Sequence, residues 1–102
     1  MLHMVVNTHS PQDCPFRGGD EAALITNALD AFTTGGIANG VEVRGSWASR
    51  GAHEIFVLVD APNAHAIETA LLDAGLVGRT HSRVLPVVTV EDVLEAARAA
   101  AN

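Results

Sequence analysis

The segment Ile55-Phe56-Val57-Leu58-Val59 sets apolar residues side by side without a polar break. A strand turns successive side chains to opposite faces, so an unbroken apolar run suits a strand covered on both sides. The run is far too short to cross a bilayer, which takes about 20 residues. It therefore belongs in the middle of a sheet, and the rest of the chain must supply its neighbours and its cover.

Those neighbours are legible. His3 to His9 reads as a strand stopped by Ser10-Pro11. Val41 to Ala48 alternates Val41, Val43, Gly45 and Trp47 with Glu42, Arg44 and Ser46, the pattern of a half-buried strand. Ser49-Arg50-Gly51 connects it to the third strand, His53 to Val59. Arg79 to Val88 is the fourth, and Pro86, which has no amide hydrogen for a ladder, marks it as an edge. The cover comes from helices. After a loop over residues 10–19, Asp20 is expected to cap a first helix. Its stripe is Leu24, Ile25, Ala28, Leu29 and Phe32, and Gly35-Gly36 is its stop. Asn63 caps a second helix carrying Ile67, Ala70, Leu71 and Ala74, ended by Gly75. Thr89 with Asp92 opens a last helix with Val90, Val93, Leu94 and Ala97 on one side.

This order, β-α-β-β-α-β plus a C-terminal helix, predicts one α+β domain of ferredoxin-like fold over residues 1–102. The expected sheet order is 4-1-3-2. Two helices cover one face of such a sheet. Val5 and Val6 point to opposite faces of the first strand, and the third strand is apolar on both. An apolar second face marks an interface, so the expectation is a homodimer of the dimeric α/β-barrel type.

Charge narrows the partners. The net charge is −6, and the six cationic residues are scattered arginines. Phosphate neutralisation needs clustered positive charge, which argues against nucleic acid and anionic membrane surfaces. Cys14 is the sole cysteine, so no internal disulfide can form. Met1 to Asn7 has neither a basic stretch nor a long apolar stretch, so no signal peptide is expected and the cytoplasm is the expected location. Gly35-Gly36 neither follows a strand nor opens a helix, and no organic cofactor is expected.

The predicted topology gathers chemistry at one rim. His9 ends the first strand, His53 begins the third, and His81 lies near the start of the fourth. Cys14, in the loop after the first strand, can reach the same place, and Trp47 can border it. Imidazole and thiolate suit Ni, Cu or Zn, so His9, Cys14, His53 and His81 are candidate metal ligands. Asp13 and Glu54 are candidates for hydrogen bonds that orient the imidazoles. The same residues could instead line a small-molecule pocket, with a histidine as general base and Asn7 or Arg83 orienting an oxyanion. They could also be unrelated surface histidines. His3 and His65 read as surface residues.

Thr8-His9-Ser10-Pro11-Gln12-Asp13-Cys14-Pro15 resembles the Thr-His-x-Pro-x-x-Cys-Pro-like start of a family of small bacterial proteins of unassigned function. Ala52-His53-Glu54 through Asp60-Ala61 resembles their second signature, and Val87 to Val93 looks like their C-terminal segment. His9, Cys14 and His53 match the motif positions; His81 rests on topology alone. The resemblance implies a ferredoxin-like dimer, distantly similar to nickel-binding proteins of that fold, to cofactor-free monooxygenases and to muconolactone-isomerase-like enzymes. The leading expectation is a transition-metal-binding protein for metal handling or sensing. The alternatives are a cofactor-free small-molecule enzyme and a non-catalytic interaction module.

Overall fold

The structure is a computed structural model that describes residues 1–34 and 40–101. The elements are β1 (Leu2–Thr8), α1 (Asp20–Thr33), β2 (Glu42–Ser49), β3 (Glu54–Asp60), α2 (Ala64–Ala74), β4 (His81–Pro86) and α3 (Val90–Ala101), with short 3-10 turns at Pro11–Asp13 and Pro15–Arg17. The strands form one antiparallel sheet ordered β2-β3-β1-β4, the ferredoxin-like arrangement with the two most apolar strands inside. The expected glycine stop at Gly35-Gly36 lies outside the described residues.

Local chemistry explains the element ends. Asn63 accepts the Ala66 amide at 2.9 Å and starts α2. Gly75 ends it in the left-handed conformation, at φ 90°. Thr89 accepts the Asp92 amide at 3.0 Å ahead of α3. The N-cap of α1 is Gly19 rather than Asp20, which sits inside the first turn and there favours the positive end of the helix dipole.

Register fixes which side chains meet. Val5 pairs with Val57 on β3 and with Val84 on β4, and His3 pairs with Val59. The valines face α1 and α2 and pack with Ala28, Phe32, Ile67, Ala70, Leu71 and Leu76 in the hydrophobic core. His3, read from the sequence as a surface residue, is buried on this face because its alternation places it beside Val59.

The opposite face carries Leu2, Met4, Val6, Phe56, Leu58, Leu85 and Trp47, of which Val6 is buried and Leu85 and Trp47 are exposed. Trp47 is 58% exposed and its ring lies over Gly45, where an added methyl would come within 2.7 Å of the indole. α3 stands apart from the rest of the chain. Each of its described residues is exposed, including Val90, Val93 and Leu94, and the molecule extends to 58 × 30 × 19 Å. No helix of the described residues is long and apolar enough to cross a membrane.

Candidate metal centre

The β1–β3 ladder does not stop at the named strand ends. Beyond the Thr8–Glu54 pair, the His9 amide donates to the His53 carbonyl at 3.1 Å. This sets His9 and His53 opposite one another on the helix-covered face. Their rings meet edge to face, with centroids 5.3 Å apart and planes at 82°.

His53 reaches this position through an unusual backbone. It lies at φ 54°, and is the one non-glycine residue in the left-handed region among those described. The Arg50-Gly51-Ala52 turn brings the chain round, and the His53 amide donates to the Arg50 carbonyl at 3.4 Å. A side chain in this region costs about 1 kcal/mol or more, and such strain clusters where function needs a fixed geometry.

The third member arrives from the loop after β1. Ser10 accepts the Asp13 amide at 3.3 Å and donates to Asp13 Oδ2 at 2.9 Å, which winds the Pro11–Asp13 turn. A second proline-initiated turn, Pro15–Arg17, follows at once. Both turns pack on α1. Cys14 sits between them, half-buried, with a free thiol. One donor atom from each of His9, Cys14 and His53 can be chosen so that all lie within 4.8 Å of one another.

One nitrogen of each ring in this group lacks a protein partner. His9 Nδ1 and His53 Nδ1 are both buried without a hydrogen bond. Buried polar atoms are nearly always satisfied, so two orphans in facing rings are an exception that asks for a reason. Burial lowers the His9 pKa below its ordinary 6.5, the neighbouring His53 lowers it further, and the Asp13 carboxylate opposes both. A neutral imidazole is the form that binds a metal ion.

Two concavities adjoin the group. A cavity of about 60 Å³ lies on its inner side, lined by His9, Cys14, Pro15, Phe16, Ala48 and Ile55 among others. Arg50 closes its edge, with the guanidinium 4.6 Å from the centre of the Phe16 ring. On the outer side an open cleft of about 650 Å³ is lined by His9, His53, Asp13, Arg79 and His81 among others.

The remaining expected residues separate from the group. His81 lines the outer cleft but is not one of the grouped donors. It pairs with Thr8, whose side chain alternates to the sheet face opposite His9. Asp13 is held by Ser10, and Glu54 accepts from the Thr8 hydroxyl at 3.5 Å. Neither carboxylate satisfies the buried Nδ1 atoms. Asn7, Trp47 and Arg83, expected at a pocket, line neither concavity. Asn7 is buried and donates to Thr80 Oγ1 at 2.7 Å and Ser82 Oγ at 2.8 Å. Trp47 and Arg83 lie on the open sheet face, paired with Phe56 and Val6. The positive φ of His53 was not anticipated, although Gly51-Ala52-His53 after a strand signals a turn there.

Fold and site together define a ferredoxin-like α+β domain with a His/Cys/His group able to hold a metal ion. The chain belongs to the family of the domain of unknown function DUF3303, which spans residues 1–101. No curated protein matches the chain. Among solved structures it is similar to SCO4226 from Streptomyces coelicolor A3(2), at 16% identity and a TM-score of 0.49, over 85% of this chain and 99% of that one.

Strain at His53 predicts an unusual outcome for its removal. His53→Gly relieves the left-handed backbone and removes an orphaned nitrogen. Urea unfolding should show the variant no less stable than the parent, with a gain of up to about 1 kcal/mol. A loss larger than about 1 kcal/mol, as for an ordinary packing residue, would contradict the strain argument.

The His9 shift also predicts a pH dependence. The folded pKa lies below the unfolded value of 6.5, so the unfolded chain takes up this proton first as pH falls. The stability tied to neutral His9 is complete above pH 6.5 and is lost as pH drops from there through the folded value. In metal-free protein the urea midpoint should fall across that window, and His9→Gln should flatten the fall. An equal slope in the variant would refute the assignment to His9.

Proposed function

We propose that this protein binds a transition-metal ion through His9, Cys14 and His53 and serves metal handling or sensing. The observation that carries the reading is the donor group, gathered from separate segments to within 4.8 Å. Bonds of about 2.0 Å to imidazole nitrogen and about 2.3 Å to thiolate place donors roughly 3.3–3.7 Å apart around one ion. The group needs to close by only about an ångström, which side-chain rotation supplies. The strained His53 and the orphaned nitrogens support the same reading. A reducing compartment, the cytoplasm, suits a thiolate ligand.

The cavity beside His9, about 60 Å³, has room for about two waters. An organic substrate would not fit there, and a cofactor-free enzyme would have to work in the outer cleft of about 650 Å³ that His9, His53 and His81 line. Titration calorimetry with Ni²⁺, Cu²⁺ and Zn²⁺ tests the metal reading. At least one of these ions should bind with a dissociation constant below about 1 μM. His9→Ala and His53→Ala should each weaken binding at least about 10-fold, since even partners behind the ligands are worth that much. Unchanged binding in both variants would remove the proposal.

The proposal includes a homodimer as the working unit. The open apolar sheet face and the unpacked α3 stripe of Val90, Val93 and Leu94 support it. A surface of this kind is ordinarily covered by a partner. Sedimentation should give a dimer at micromolar concentration, and Trp47→Glu or Leu94→Glu should shift it to monomer. A wild-type monomer at those concentrations would rule the dimer out.

A further inference from the structure

The donor set itself discriminates among ions, and this inference rests on the metal-binding reading above. His9 and His53 offer neutral imidazoles and Cys14 a thiolate, with no oxygen ligand in the group. The carboxylates nearby are engaged elsewhere, Asp13 with Ser10 and Glu54 with Thr8. Soft thiolate favours Cu(I) and Zn(II), whereas Ni(II) is better served by nitrogen and oxygen in square-planar or larger shells. We infer that the site is selective for monovalent copper, held by His9, Cys14 and His53 in a three-coordinate shell.

Charge and coordination number separate Cu(I) from Zn(II). A Cu(I) ion with one thiolate and two neutral imidazoles has no net charge. A Zn(II) ion on the same donors carries +1. The inner side of the site carries Pro15, Phe16, Ala48 and Ile55 together with Ser49, Arg50 and Glu54, and its apolar part favours the neutral centre over the charged one. Zn(II) also requires a fourth donor, which the protein group does not supply, and so must keep a water or draw on another ligand. Cu(I) is satisfied by three. On binding, the Cys14 thiol releases its proton to solvent, and each imidazole donates through a ring nitrogen without deprotonation.

The test uses the full chain, reduced and metal-free, titrated anaerobically with Cu(I) against the chelator bathocuproine disulfonate. Zn(II) and Ni(II) are titrated in parallel. The account expects one Cu(I) per chain, at least about 1,000-fold tighter than Zn(II) or Ni(II), and displacement of either by equimolar Cu(I). Copper loading should protect Cys14 from iodoacetamide in the unaltered protein, because the bound thiolate is no longer a free nucleophile. Cys14→Ser should lose at least about 100-fold in Cu(I) affinity and less than about 10-fold in Ni(II) affinity. Retention of Zn(II) or Ni(II) against equimolar Cu(I), or equal alkylation of Cys14 with and without copper, overturns the copper inference and leaves metal binding standing. Failure of every ion to bind overturns both.

Discussion

The bond from the His9 amide to the His53 carbonyl is the constraint on which the site depends. It is the last rung of the ladder between the two central strands. Its position is set by the core and not by the site. Val5 against Val57 and His3 against Val59 fix the register through burial under α1 and α2. A slip of one residue would turn Val5 to the open face and carry His9 away from His53. The hydrophobic core thus stabilises the arrangement of two polar rings that do little for stability themselves. Their edge-to-face contact is worth about 1 kcal/mol, while each buried unpartnered nitrogen costs about as much or more.

Departures from local rules concentrate at this one place. His53 has a backbone conformation that a glycine would adopt more cheaply. Two imidazole nitrogens are buried without partners, and His9 is held toward its neutral form. Asn7 Oδ1, two residues before His9 on the same face of β1, is a third buried atom without a partner, whereas the helix ends are locally consistent. Asn63 and Thr89 cap their helices, and Gly75 ends one in the left-handed conformation. Sequences that obey local preferences throughout and break them in one cluster usually do so where function requires it. Neutral imidazoles beside a half-buried thiol make chemical sense as ligands and little sense as packing.

The architecture was legible because it rests on periodicity. The apolar run at Ile55 to Val59, the alternation in β2 and the stripes of α1 and α2 fix element types, and Pro86 marks an edge that β4 does occupy. Two members of the site followed from topology, since antiparallel neighbours of β1 must bring His9 and His53 to one end, and Cys14 followed from its place in the loop after β1. What the sequence did not reveal was side-chain direction. His81 shares the rim, but its place opposite Thr8 turns it to the other face of the sheet. Asn7 looked like a pocket residue and is instead a buried link to Thr80 and Ser82. His3 looked exposed because nothing in the sequence says which parity of β1 meets the helices. The Pro11–Asp13 and Pro15–Arg17 turns that deliver Cys14 were visible only as a loop with breakers.

A metal centre assembled at the end of a sheet makes a direct structural claim about the atoms that surround the ion. X-ray absorption at the metal edge of the loaded protein reads those neighbours. The account predicts one sulfur at about 2.3 Å and two imidazole nitrogens at about 2.0 Å. A spectrum of nitrogen and oxygen neighbours alone, with no sulfur and no imidazole scattering, would contradict it.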